Sequence, residues 1–364
     1  MNKSKKRFNA ATGLKIGAFA LFVVVVALVV NWVFFGPIKL HELPFLADVQ
    51  YAYNEDGFYY LQGTQLCYVD DDNSDKNIRR NINTAEIELV VSSDITLIYS
   101  TNAVRLLDAD KSIEITGGRI LDVKCGNKHI AVMRENTDRT VTLLIYDRAS
   151  EQVDSIEFGD AYAVDFGFDL SKGELLWTID VNTDSTQPIS TLTTYDLDKR
   201  TTSGIITVVN QLVDRVEFTN NSIYIIGTSQ LIRYDRLRNS ESYRATCFGR
   251  VLHDCSLTQS KPLFLFVDSN TEKIRRIAIY TMTDDTVGSA TTRLMTIPEE
   301  AIGVFAMAGR PIVVTSENVY IYKTNGQLDE TKRFDSAIMG AIKLTDNTLL
   351  IERDGRLYTA RIMN

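Results

Sequence analysis

From residue 37 onward the hydrophobic positions come in short runs rather than in helical stripes. Val, Ile, Leu, Tyr and Phe cluster together, and Gly, Asn, Asp and Ser fall between the clusters. This punctuation predicts β-strands joined by tight turns. One unit recurs. A strand closes on an aromatic or aliphatic residue, often followed by Asp, and a polar turn comes next. The unit is seen at Leu66-Cys67-Tyr68-Val69-Asp70, Val104-Arg105-Leu106-Leu107-Asp108, Leu144-Ile145-Tyr146-Asp147 and Thr194-Tyr195-Asp196. It returns at Arg233-Tyr234-Asp235, Ile279-Tyr280-Thr281, Tyr320-Ile321-Tyr322 and Arg356-Leu357-Tyr358. The aspartates have a local reason: a carboxylate there accepts backbone amides of the following turn.

With Tyr68, Leu107, Tyr146, Tyr195, Tyr234, Tyr280, Tyr322 and Tyr358 as markers, the period averages about 41 residues. A period near forty with several strands per unit marks an all-β β-propeller. The fifth unit divides into an inner strand Leu212 to Phe218, a second Ile223 to Gly227, a third Leu231 to Asp235 and an outer Ser242 to Cys247. Thr228-Ser229 is a two-residue hairpin, and Asp354-Gly355 in the last unit is a type I′ signal. The last unit has only three strands, because the chain stops at Asn364. The strand-like Ile38 to Leu43 precedes the first unit and can supply the missing outer strand. The expectation is eight blades with residues 38–43 closing the last one. Seven blades, the alternative, leave one hairpin unassigned.

The first 36 residues are different. They hold Lys3, Lys5, Lys6, Arg7 and Lys15 and no acid. Ile16 to Phe35 is a twenty-residue apolar run whose only strongly polar member is Asn31, with Trp32 near its far end. Twenty helical residues span the ~30 Å hydrocarbon core. Val33-Phe34-Phe35-Gly36-Pro37 offers no small-residue cleavage site of the signal-peptide kind. The expected organisation is a basic cytoplasmic tail 1–15, a transmembrane signal-anchor helix 16–35 and an extracytoplasmic propeller 36–364. The five cations orient the N-terminus inward, so the lipid bilayer is one partner and the propeller lies outside.

The units resemble the repeats of quinoprotein-type and WD-type propellers. Leu143 to Val153 is similar to the turn between their third and outer strands, and Ala163 to Gly173 to their inner strand and its following turn. The docking Trp of the quinoprotein repeat and the Gly-His and Trp-Asp pairs of WD repeats are missing. A short basic tail, one anchor and an external propeller together resemble an uncharacterised membrane-anchored propeller family of Gram-positive bacteria. That resemblance implies fold and topology.

Composition narrows the function. The chain carries 39 Lys+Arg against 47 Asp+Glu, a net charge of −8. The basic tail concentrates the negative charge further on the propeller, so nucleic acid is excluded as a partner, since phosphate binding needs a basic face. His41, His129 and His253 fall in different units, and no Ser-His-Asp set, phosphate loop or metal spacing stands out. Cys67, Cys125, Cys247 and Cys255 lie on different strands and are expected as buried thiols.

Two constellations remain. Asp48, Asp122, Asp165, Asp214 and Asp254 open inner strands and could converge at a channel mouth. Such a ring could hold Ca²⁺, which wants oxygen ligands, or simply bond the local backbone. The other is a set of longer loops between second and third strands, carrying Asn136 and Asp138, Asn182 and Asp184, and Asn270 and Glu272. Insertions on one face often mark a binding surface. Asp70 to Asp75 lacks the Gly and Glu of a calcium loop and is a solvated turn. The expected function is a binding or scaffold module for an envelope protein or polymer, with no cofactor. The rival is a propeller hydrolase or lyase acting on extracellular glycan.

Overall fold

The structure is a computed structural model that describes residues 37–54, 56–70, 79–81, 88–107, 111–184, 186–257, 262–269, 273–282 and 290–363. The basic tail and the apolar run 16–35 lie outside the described residues. The described residues form eight four-stranded antiparallel sheets and no helix. The sheets span residues 51–81, 88–114, 118–157, 162–209, 213–246, 250–301 and 303–333, with the eighth built from both ends of the chain. The molecule is therefore an eight-bladed propeller, and the seven-blade alternative falls away. In the fifth blade the strands are Val213–Phe218, Ser222–Gly227, Gln230–Asp235 and Ser240–Thr246, within one or two residues of the sequence reading.

The eighth blade runs Gly340–Lys343, Thr348–Arg353, Arg356–Arg361 and then Leu40–Leu46 as its outer strand. That strand lies slightly later than the 38–43 segment. Leu40 faces Ala360 and Glu42 faces Tyr358, and the register slips before Leu46 meets Arg356. Pro44 sits inside the slip, where a residue without an N–H costs the ladder least. Asp354 and Gly355 both have positive φ, 52° and 74°, as a type I′ hairpin requires.

The core is not central. It is divided into eight wedges, each between two consecutive blades. Phe166 and Leu176 of blade 4 pack on Ala131, Met133 and Leu143 of blade 3. On its other side blade 4 puts Trp177, Ile179 and Leu192 against Val213, Val216 and Ile223 of blade 5. Blade 8 meets blade 1 through Leu43, Phe45 and Leu350 against Phe58 and Tyr60. A sheet covered on both faces loses the apolar-polar alternation. That is why second strands such as His129–Asn136 carry an unbroken buried run from His129 to Met133.

Strand direction defines two faces. Every inner strand starts on the same face, here called the mouth face. The chain returns to it at the hairpin between second and third strands. The turns after the first and third strands lie on the opposite face.

Candidate functional site

The inner strands of blades 3 to 6 share a feature that no local pattern announces. Each carries one extra residue relative to its partner strand. The register breaks between Ile120 and Asp122, Ala163 and Asp165, Val213 and Arg215, and Leu252 and Asp254. The extra residues are Leu121, Val164, Asp214 and His253. Bulges of this kind bend a strand and re-aim its side chains. Asp122, Asp165 and Asp254 take the equivalent place after the bulge. Arg215 holds that place in blade 5, and Asp214 stands one residue early. Asp48 is exposed in the turn before the first inner strand Tyr51–Asn54. The five aspartates therefore do not make a ring of equivalent carboxylates, because a one-residue slip re-aims a side chain.

The three equivalent aspartates bond backbone and lysine. Asp122 Oδ1 accepts the Val123 amide at 2.7 Å, and Asp165 Oδ1 accepts the Phe166 amide at 2.8 Å. Lys124 of blade 3 reaches into blade 4. It donates to Asp165 Oδ1 at 2.5 Å and to the Phe166 carbonyl at 2.7 Å, and lies 5.0 Å from the centre of the Phe166 ring. Gly167 lets the Trp177 ring lie close over the inner strand, since a Cβ there would stand 2.7 Å from that ring. Burial pushes the Asp122 carboxyl above its usual range, and Lys124 only partly offsets that.

Asp254 makes the longer bridge. Its Oδ2 accepts the Ala306 amide of blade 7 at 2.8 Å and stands 3.3 Å from Lys343 Nζ of blade 8. Lys343 also donates to the carbonyls of Cys255 at 2.9 Å and Ala306 at 2.5 Å, and pairs with Asp346 at 3.1 Å. Asp346 in turn accepts the Ser256 hydroxyl at 3.0 Å. One ammonium thus ties blades 6, 7 and 8 together across the channel side. Lys343 follows Gly340 with no acidic neighbour before it in the strand, so no sequence signal marked it. Among the described residues, no three His, Cys, Asp or Glu side chains gather as a metal-binding group.

Among the described residues, the longer loops of blades 3 and 4 hold turn bonds. Asn136 Nδ2 donates to the Thr140 and Thr142 hydroxyls at 2.8 and 2.9 Å. Asp138 Oδ1 accepts the Thr140 amide and hydroxyl at 3.0 and 2.6 Å, which holds its pKa low. Asn182 Oδ1 accepts the Asp184 amide at 2.8 Å, an Asx turn. Asp184 is exposed. Asn270 and Glu272 lie outside the described residues, as do residues 71–75 of the acidic run. The three loops leave from the mouth face, beside the bulged strands.

The opposite face is locked by buried pairs. Glu174 of blade 4 accepts the Asn127 and Lys128 amides of blade 3 at 2.5 and 2.8 Å and meets His129 Nδ1 at 2.6 Å. Asp169 pairs with Arg236 of blade 5 at 2.8 Å, and Arg236 also donates to the Thr219 carbonyl at 2.9 Å. All four cysteines are free thiols, three of them buried. Burial pushes Cys247 up to about 11 and Cys255 further still.

Comparison with solved structures agrees on the architecture. BamB from Moraxella catarrhalis superposes with a TM-score of 0.56 at 12% identity, over 89% of this chain and 100% of that one. The WD40 domain of SCAP from fission yeast gives 0.58 at 9% identity, over 89% and 94%. The computationally designed Ika8 protein gives 0.53 at 9% identity, over 90% and 100%. At such identities the likeness is one of fold alone. No curated protein sequence matches. Residues 115–361, covering blades 3 to 8, match one family profile, and the chain belongs to that family, the family of unknown function DUF5711.

Proposed function

We propose that this chain is a propeller held outside the membrane by one helix over residues 16–35, serving as a binding platform for another protein of the envelope. The observation that carries the reading is where the ring takes hold of the chain. Ile38 is buried in the wedge between blades 7 and 8, and its amide donates to the Arg333 carbonyl of blade 7 at 2.8 Å. Only Gly36 and Pro37 separate it from the apolar run. Two extended residues reach about 7 Å. A helix ending at Phe35 therefore keeps the rim of blades 7 and 8 against the bilayer surface. Lys39, Arg333 and Arg361 are exposed on that rim, which suits phosphate headgroups.

The fold supports binding over catalysis. Propellers commonly serve as protein-interaction scaffolds. The mouth carboxylates Asp165 and Asp254 are engaged by lysines and amides rather than left as an acid-base pair. A cysteine placed at exposed Asp184 tests the topology. A membrane-impermeant maleimide should label it in intact cells. Labelling only after lysis overturns the external placement.

A further inference from the structure

The connections into blades 3 to 6 expose large apolar side chains on the mouth face. They are Leu121, Tyr162, Val164, Leu212, Phe248 and Val251. Tyr162 is 67% exposed and Phe248 79%. Each lies in an inner strand or in the connection entering one, so all six sit at the mouth side of four consecutive blades. Two of them, Leu121 and Val164, are the extra residues of the bulges, which is how they come to point out of the wedges. Apolar residues scattered singly over a surface need no explanation. Six along one arc of one face do.

Carboxylates alternate with them. Asp122 follows Leu121, Asp165 follows Val164, Asp160 precedes Tyr162 by two residues, and Asp214 follows Leu212 by two. Asp160 and Asp214 are exposed. Asp122 and Asp165 share Lys124, at 4.0 and 2.5 Å, and Arg119, Arg215 and Arg250 on the same strands pair with Glu135, Glu217 and Asp268, so the exposed Asp160 and Asp214 leave the arc acidic. Asp184 adds a further exposed acid on the long loop of blade 4. The surface thus offers apolar contact area with negative charge threaded through it.

We infer that the mouth arc of blades 3 to 6 docks a polypeptide segment in which apolar side chains are interspersed with Lys or Arg. The apolar residues supply contact area, and large aromatic anchors dominate such interfaces. The aspartates select charge and steer approach. Neutral polysaccharide would use the aromatic rings but gain nothing from the acids or from Leu and Val. The inference rests on the binding-platform reading but not on its membrane placement, so failure of the surface labelling leaves the following test intact.

The full chain in nanodiscs of neutral lipid is titrated with a short fluorescent peptide alternating leucine and lysine, and with its leucine-glutamate counterpart. The lysine peptide should bind and the glutamate peptide should not. Tyr162→Ser with Phe248→Ser should weaken binding by about tenfold or more. Asp160→Asn with Asp214→Asn should weaken it severalfold and flatten its salt dependence. Leu237→Ser, at a residue 73% exposed on the opposite face, is the control and should change nothing. The melting temperature of each variant reports folding, and Phe248→Ser alone serves if the double variant melts early. Equal binding of the glutamate peptide, or equal loss from Leu237→Ser, overturns the inference. So does chitohexaose binding that the Tyr162 and Phe248 changes abolish while the lysine peptide fails to bind.

Discussion

Glu174 shows how one side chain holds two blades together and what that demands of pH. Burial alone would raise its pKa, but the bond to His129 and the two amides of Lys128 and Asn127 outweigh burial and hold it below the usual range. A carboxylate with a lowered folded pKa stabilises the protein fully above the unfolded value, near 4.3 for Glu. That contribution is lost as pH falls through the folded value. Glu174→Gln keeps an oxygen for the amides but loses the charge, and should cost about 1 to 3 kcal/mol at neutral pH. Thermal melts should show the gap between wild type and variant closing as pH drops below about 4. A gap that stays constant to pH 3 would mean that the charge contributes nothing.

The closing strand Leu40–Leu46 decides stability at the level of an element. It covers the edge of Arg356–Arg361 and carries Leu43 and Phe45 into the wedge between blades 8 and 1. The Phe45 ring stacks on Tyr60 with centroids 4.5 Å apart and lies 5.7 Å from Phe58. Phe45→Ala should cost about 3 to 5 kcal/mol, as buried aromatic truncations do. Removing residues 38–46 should go further, exposing an unpaired edge and promoting aggregation. Light scattering on heating checks this. A truncated chain that melts like the full one and stays monomeric would show that the ring closes without its N-terminal strand.

At the scale of the molecule, stability is a chain of wedges around a ring, and the wedges are unequal. The blade 7–8 wedge buries residues from Ile38 through Val314 to Ile362. Among the described residues, the blade 1–2 wedge buries only Leu66, Leu89, Ile98 and Leu107. In a structure whose units touch only their neighbours, opening starts at the weakest contact. Amides of Gln65–Asp70 and Glu88–Val91 should therefore exchange hydrogen before those of Leu263–Asp268 and Arg310–Val314. Equal protection around the ring would refute this order. The family profile also begins at residue 115, leaving the two blades at this wedge outside it.

By itself the sequence determined everything that local periodicity encodes. The repeat of about forty residues, the eight markers and the Asp354-Gly355 hairpin follow from side-chain alternation and turn chemistry, which act over a few residues. The three-stranded last unit and the spare strand before the first blade were legible for the same reason. The turn roles of Asn136, Asp138 and Asn182 are local too, and sequence left them open only against a binding role. The apolar alternation after Asp214 already differs from that after Asp165, but tertiary structure alone decided the bulges at Leu121, Val164, Asp214 and His253. It alone brought Lys343 to the Cys255 carbonyl, 88 residues away. It also decided which apolar residues stay outside. Tyr162 and Phe248 look no different in sequence from the buried Phe166 and Phe264. Only the packing of one blade on the next leaves the first pair in water and encloses the second.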